Sequence, residues 1–80
     1  MKIKVLGPGC ANCKRMEQIA RREVEKLGLT AEFEKVTDYG EIMAYGVMST
    51  PGLVIDEQVV AYARIPTNQE VTDWLIAAQI

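Results

Sequence analysis

The pattern of hydrophobic and polar residues divides the chain into strands and helices separated by turn residues. Lys2 to Leu6 alternates polar and apolar residues, which is typical of a half-exposed strand, and Gly7-Pro8-Gly9 then interrupts it. From Ala11 to Leu27, apolar residues recur at spacings of three and four. This spacing predicts a helix with one buried face, which ends at Gly28.

The rest of the chain continues the alternation of element types. The further segments are a strand at residues 30–36, a short helix from Asp38 to about Tyr45, strands at 53–56 and 59–63, and a last helix running to Ile80. Thr67 and Glu70 form a capping box at the start of this last helix. The predicted order is therefore β-α-β-α-β-β-α.

Length and charge restrict the function classes. Eighty residues are expected to form a single domain over positions 1–80, because so short a chain cannot supply two cores. A net charge of −2 gives no basic face for nucleic acid. No apolar run approaches the roughly 18 residues that span a membrane. The apolar stretch that follows Met1 to Lys4 is too short for a signal peptide. We expect a cytoplasmic monomer that binds neither nucleic acid nor membrane.

The candidate chemistry is carried by a C-x-x-C motif, Cys10 and Cys13, in the stretch GPGCANCKRM. The reducing conditions of the cytoplasm keep thiols reduced, and a disulfide that closes so short a loop adds little stability. A structural disulfide is therefore not expected. The chain contains no histidine, which excludes mixed cysteine and histidine zinc sites and a cysteine-histidine hydrolase pair. Two interpretations stay open at this point, a redox couple and a pair of ligands for a soft metal.

The predicted helix start favours reactivity at the first cysteine. If the helix opens at Ala11, Cys10 faces unpaired backbone N–H groups and the positive end of the helix dipole, and Lys14 adds a positive charge one turn later. All three favour thiolate over thiol and lower the pKa of Cys10. Cys10 is therefore the candidate nucleophile, and Cys13, facing inward, is the candidate resolving thiol.

A second landmark, Thr50-Pro51 in the stretch YGVMSTPGLVID (Tyr45 to Asp56), precedes a predicted strand. With both landmarks in this order, the sequence resembles the thioredoxin superfamily, and most closely its small redox-active disulfide proteins of archaea and bacteria. The resemblance implies a thioredoxin-like α/β fold with a four-stranded mixed sheet and three helices. It also implies exchange with disulfide-containing target proteins, an upstream reductase or glutathione as electron donor, and no cofactor or metal besides the Cys10–Cys13 disulfide.

The same resemblance implies roles for residues around the cysteines. In the superfamily the proline is cis, and the residue before it pairs its backbone with an extended target, which assigns these roles to Pro51 and Thr50. Gly9 and Lys14 flank the cysteines and complete the candidate substrate-binding set. Lys14 and Arg64 are the candidate basic contacts for glutathione.

Four positions depart from larger thioredoxins. Gly9 stands where they carry tryptophan, and Ala11-Asn12 separates the cysteines in place of Gly-Pro. Lys4 stands where they bury an acid. Lys4 either turns inward and stabilises a thiolate or, as is commoner for lysine, lies in solvent at the strand edge.

The alternative function is soft-metal binding, of copper or of arsenic and mercury, by the Cys10 and Cys13 thiolates. Small copper chaperones also place C-x-x-C after a first strand, but their elements run β-α-β-β-α-β, and they carry methionine where this chain has Pro8. A third possibility is an adaptor whose dithiol is structural or redox-sensing. Three methionines, Met16, Met43 and Met48, are expected to fill the core and loops, with Met48 next to the proline turn.

Overall fold

The order of elements predicted from the sequence is confirmed by a computed structural model, which describes residues 1–9 and 11–78. The elements are β1 (Lys2–Leu6), α1 (Ala11–Lys26), β2 (Glu32–Val36), α2 (Tyr39–Ala44), β3 (Gly52–Ile55), β4 (Gln58–Tyr62) and α3 (Asn68–Ala78). The predicted continuation of the last helix to Ile80 lies outside the described residues. No helix in the described part of the chain is long and apolar enough to cross a bilayer.

The strands form a four-stranded mixed sheet in the order β2-β1-β3-β4. β1 pairs in parallel with β2, with Ile3 opposite Phe33, and antiparallel with β3, with Ile3 opposite Ile55. β3 and β4 pair with each other antiparallel and form a hairpin. Because β1 is central, the loop that follows it emerges between β2 and β3.

Alternation along β1 divides the core between the two faces of the sheet. Ile3 and Val5 pack with the buried sides of α1 and α3 on one face. Leu6 points to the other face, where it packs against Ile42 of α2 and Val54 of β3. The sheet is therefore covered by α1 and α3 on one side and by the short α2 on the other.

Backbone conformation explains why several element ends differ by one or two residues from the predicted bounds. Gly28, at φ +68°, ends α1 in a Schellman motif, with the Leu29 N–H donating to the Val24 carbonyl at 3.0 Å. This turn delays β2 until Glu32. Positive φ at Asp56 and Ala63 ends β3 and β4 before those residues.

The capping box at α3 is formed as predicted. The Glu70 N–H donates to Thr67 Oγ1 at 3.1 Å, and the Thr67 N–H donates to Glu70 Oε1 at 3.0 Å. Two backbone donors that have no partner within the helix are thereby satisfied.

Candidate active site

Cys13 lies in the first turn of α1, with its side chain turned toward the end of β1. It is only 4% exposed, and it lies on the same helix face as Met16 and Ala20, which are also buried. The inward orientation predicted for Cys13 is therefore confirmed. Cys10, the candidate nucleophile, lies outside the described residues.

Gly7 occupies the space between Cys13 and the loop that precedes β3. A β-carbon built on Gly7 would overlap Cys13 Sγ, and it would lie 3.4 Å from Cys13 Cβ and 3.5 Å from Thr50 Cβ. The Gly7 N–H donates to the Val36 carbonyl at 2.9 Å, which fixes the glycine against β2. The absence of a side chain at Gly7 therefore lets the thiol and Thr50 approach the same point from two sides.

Thr50 and Pro51 form the second side of the site. The peptide bond between them is cis, as in the superfamily that the sequence resembles. Pro51 is buried, Thr50 is half-buried, and β3 begins at Gly52. The Pro51 carbonyl accepts a hydrogen bond from the Ala63 N–H at 2.9 Å, so this turn is held by the residue that follows β4.

Gly9 and Lys14 lie with Cys13 around a small cavity of about 20 Å³. Both are exposed, and Gly9 has a φ of +93°, a conformation that favours glycine. The structure thus brings three of the predicted site residues to one place. Thr50 and Pro51 do not line this cavity, but Thr50 Cβ and the Cys13 side chain both lie next to the space that a Gly7 side chain would fill.

Glu17 and Lys35 belong to the same cavity and were not found from the sequence. Glu17 Oε2 accepts from Arg21 Nε at 2.8 Å, and Glu17 Oε1 lies 3.2 Å from Lys35 Nζ. The hydrogen bond from Arg21, and then that from Lys35, lower the pKa of Glu17, so this carboxylate is ionised at neutral pH. The available signal was its position four residues after Cys13, which places both on one helix face.

Neither interpretation given for Lys4 from the sequence holds in the structure. It belongs to the α2 side of the sheet, opposite the α1 face on which Cys13 lies, so it is not beside the thiol. It is also not simply solvated, because its Nζ lies 2.8 Å from Glu57 Oε1 and donates to the Tyr45 hydroxyl at 2.6 Å. The bonds to Glu57 and Tyr45 raise the pKa of Lys4.

Arg64, the other candidate contact for glutathione, is already engaged within the chain. Its guanidinium donates to both carboxylate oxygens of Glu70, at 2.9 and 2.7 Å. The same bonds raise the pKa of Arg64. Of the two cations proposed for glutathione, only Lys14 borders the Cys13 cavity.

Fold and site together define a class of α/β protein in which a cysteine-bearing helix follows the first strand of a mixed sheet and faces a cis-proline turn. The family model described as thioredoxin domain matches residues 1–76. A thioredoxin from Methanothermobacter thermautotrophicus is 39% identical over 71 residues, which cover 89% of this chain and 92% of the relative. A thioredoxin from Methanocaldococcus jannaschii is 37% identical over 73 residues, covering 91% and 84% respectively.

The chain therefore belongs to the thioredoxin family, a family of thiol-disulfide oxidoreductases. The thioredoxin-like fold expected from the sequence is confirmed. In the described ranges, 1–9 and 11–78, no group of three or more cysteine, aspartate or glutamate side chains is placed to hold a metal ion.

Proposed function

We propose that the chain is a protein-disulfide reductase that uses Cys10 as nucleophile and Cys13 as resolving thiol. The Cys10 thiolate attacks one sulfur of a target disulfide, forming a mixed disulfide and releasing the other target sulfur as a thiolate. The Cys13 thiolate then attacks Cys10 Sγ, and the first target sulfur leaves. The target gains two electrons and, after protonation, two thiols, while Cys10 and Cys13 are oxidised to a disulfide.

The observation that carries this proposal is the meeting of Cys13, Gly7 and Thr50 at the start of α1. A resolving thiol should be shielded from other disulfides yet close to the mixed disulfide. Cys13 is buried and lies across Gly7 from the turn at which a target would be held. Its sequence spacing of three residues from Cys10 is the spacing of neighbours on one helix face.

Recognition of the target is assigned to the residues around this junction. Thr50, half-buried before the start of β3, offers its backbone to an extended target segment. Pro51, which has no N–H, shapes the turn, and exposed Gly9 leaves room for the target backbone beside the sulfurs. Lys14 adds positive charge at the exposed edge of the site.

A donor must return two electrons to the Cys10–Cys13 disulfide after each cycle. We assign this role to an upstream reductase or to glutathione, in the cytoplasm, where reducing pools keep dithiols available. No cofactor besides the disulfide itself takes part in the proposed cycle.

Trapping of mixed disulfides tests the mechanism. In Cys13→Ser the attack by Cys10 proceeds but the second step does not, so a covalent adduct with a disulfide-containing peptide accumulates and is detected by non-reducing mass spectrometry. In Cys10→Ser no adduct forms. If Cys10→Ser reduces insulin disulfides as fast as the unchanged protein, the assignment of the nucleophile is wrong. If the unchanged protein exchanges no disulfide but binds Cu(I) or arsenite through both thiols, soft-metal binding replaces the proposal.

The backbone contact at Thr50 is tested by changing the target instead of the protein. Two peptides are compared that differ only in N-methylation of the amide next to the disulfide-bonded cysteine. The methylated peptide cannot form one hydrogen bond, which is worth about 0.5–1.5 kcal/mol. The rate constant for reduction of its disulfide should therefore be roughly 2- to 10-fold lower than that of the unmethylated peptide. Equal rate constants would show that the target does not pair with Thr50 through that amide.

A further inference from the structure

Glu17 and Lys35 border the cavity at Cys13 but have no part in the exchange cycle described above. Among the described residues that line this cavity, Glu17 is the only acid, and Lys14 and Lys35 are the only cations. A cavity of about 20 Å³ has room for about one water molecule. Because little solvent separates these charges from the buried thiol, they are screened less than charges on an open surface.

Strand pairing directs the Lys35 side chain toward Cys13. Lys35 lies opposite Val5 in the parallel pair of β1 and β2. Val5 faces the α1 side of the sheet and also lines the cavity. Because residues opposite each other in a sheet share a face, the Lys35 side chain lies on the α1 side as well. There its ammonium meets the carboxylate of Glu17, which lies one helix turn after Cys13.

Neighbouring groups hold the Glu17 carboxylate in a fixed position. Arg21 Nε donates to Glu17 Oε2 at 2.8 Å, and the guanidinium carbon of Arg21 lies 4.3 Å from the centre of the Phe33 ring. Glu17 Oε1 is thereby left for Lys35 Nζ, at 3.2 Å. The Glu17 side chain is only 14% exposed, whereas that of Lys35 is 60% exposed. The negative charge therefore lies deeper in the structure than the positive charge that pairs with it.

The two charges act on Cys13 in opposite directions. A positive charge near a thiol favours the thiolate and a negative charge disfavours it, so Lys35 and Glu17 oppose each other. Lys14, on α1, is the further charged group at the cavity. The residues that β1 contributes to the cavity carry no charge, and neither does Thr50 in the loop before β3.

Glu17 is a poor acceptor for the thiol proton. The hydrogen bond from Arg21, and then that from Lys35, lower the pKa of Glu17 and keep its carboxylate ionised at neutral pH. A general base works best when its pKa lies near the working pH. An electrostatic effect of the carboxylate on Cys13 is therefore favoured over proton transfer to the carboxylate.

We propose that Glu17 and Lys35 set the pH range in which Cys13 resolves the mixed disulfide, Lys35 by favouring the Cys13 thiolate and Glu17 by opposing it. This inference rests on the proposed disulfide exchange and adds two residues that act on its second step through Cys13. In that step Cys13 gives its proton to solvent, and its thiolate attacks Cys10 Sγ. The bond between Cys10 and the target sulfur breaks, and the target sulfur leaves with the electron pair. Because the Cys10 sulfur is uncharged in the mixed disulfide, it adds no charge to those around the cavity.

The test separates the two steps with the free aromatic disulfide of thionitrobenzoate. The reduced protein releases one coloured thiolate when Cys10 forms the mixed disulfide, and a second when Cys13 displaces the other half. The rate of the first phase depends on the reagent concentration, and that of the second does not. The rate constant of the second phase is measured across the pH range in which thiols ionise, and the midpoint of this profile reports the ionisation of Cys13.

The two variants that break the ion pair should move this midpoint in opposite directions. Lys35→Met should raise the midpoint by about half a pH unit, which makes the second phase roughly threefold slower below the midpoint. Glu17→Gln should lower the midpoint by a similar amount. Loss of local structure at a broken ion pair would act in the same direction in both variants, so shifts of the same sign overturn the proposal.

Two controls match these changes. Lys35→Arg keeps the positive charge and should keep the midpoint. Glu34→Gln removes a carboxylate from the neighbouring position of β2, which lies opposite Lys4 on the α2 side of the sheet. This variant should also leave the midpoint where it is. A shift in Glu34→Gln as large as that in Glu17→Gln would show a general effect of net charge and overturn the proposal.

Failure of this inference and failure of the proposed function give different results. A second phase whose midpoint moves in neither variant leaves the exchange intact and removes the role of Glu17 and Lys35. Absence of a second phase in the unchanged protein removes Cys13 as resolving thiol, and both proposals with it. Titration of the NMR signal of the labelled Cys13 β-carbon in the Cys10→Ser background, where Cys13 is the remaining cysteine, should give the same order of midpoints. The opposite order would overturn the proposal.

Discussion

The position of Cys13 leaves no room for a side chain at Gly7. In Gly7→Ala the new β-carbon would overlap Cys13 Sγ, and it would also lie 3.5 Å from Thr50 Cβ. The sulfur cannot simply turn away, because Cys13 is buried and its side chain is short. The end of β1 or the start of α1 must therefore shift.

Overpacking of this kind costs about 1–3 kcal/mol. For a domain of this size, each kcal/mol lowers the melting temperature by about 4–8 °C. A domain with about 5–15 kcal/mol of stability stays folded after such a loss, so the variant is expected to be measurable.

A double-mutant cycle isolates the contact. Removing the sulfur in Cys13→Ala leaves only a contact of 3.4 Å to the β-carbon, so the second substitution at Gly7 should be better tolerated. Whatever an alanine costs at the Gly7 φ of +157° is common to both backgrounds and cancels. We expect a coupling of about 1 kcal/mol or more between the two sites, measured by urea unfolding under reducing conditions. Equal losses in both backgrounds would refute the contact.

Three further predictions concern charged groups. The hydrogen bonds from Arg64, followed by the Thr67 backbone bond, lower the Glu70 pKa from 4.5 to about 2. The contribution of the ionised Glu70 carboxylate to folding stability is present above pH 4.5 and is lost as the pH falls toward 2. In urea titrations, Glu70→Gln should therefore lose less stability between pH 5 and about 2.5 than the unchanged protein does. Glu23 is buried; its Oε2 accepts from Thr72 Oγ1 at 3.3 Å and lies 3.6 Å from Lys26 Nζ, but its Oε1 has no hydrogen-bond partner in the described part of the chain. Because burying an incompletely paired carboxylate costs more than its bonds return, Glu23→Met should raise stability by about 1 kcal/mol, and a lower melting temperature would contradict this. Lys4→Met removes the ion pair with Glu57 on the α2 side of the sheet and should lower the melting temperature. The rate of disulfide reduction should stay within about twofold of that of the unchanged protein. A tenfold slower rate would show that Lys4 takes part in the exchange chemistry.

Local patterns predicted much of the fold. Alternation in β1 and the spacing of apolar residues in α1 are properties of neighbouring residues, and so is the capping box of Thr67 and Glu70. Because each element carries its own signal, the order and approximate bounds followed without tertiary information. The two strands of the hairpin were also identified, although Asp56 and Glu57 in the turn between them adopt the positive φ that usually selects glycine.

The features that the sequence did not reveal depend on contacts between distant segments. Gly7 was interpreted only as a strand break, and its role at Cys13 requires knowing that Thr50 closes the same space. The environment of Lys4 depends on the β3–β4 turn, because its partner Glu57 is supplied by that turn. Met43 was expected to fill the core or a loop, and its exposure on α2 is a correction, since α2 packs on the sheet through Ile42 and Met43 lies on its exposed side.

The proposed function requires that Cys10 and Cys13 form a reversible intramolecular redox couple. It is tested most directly by equilibrating the protein with dithiol buffers of known potential, trapping the remaining thiols by alkylation and determining the oxidised fraction by mass. We expect a single reversible two-electron transition of a monomeric species, near the thioredoxin value of about −270 mV. A protein whose two cysteines remain alkylatable at potentials as oxidising as about −120 mV would contradict it.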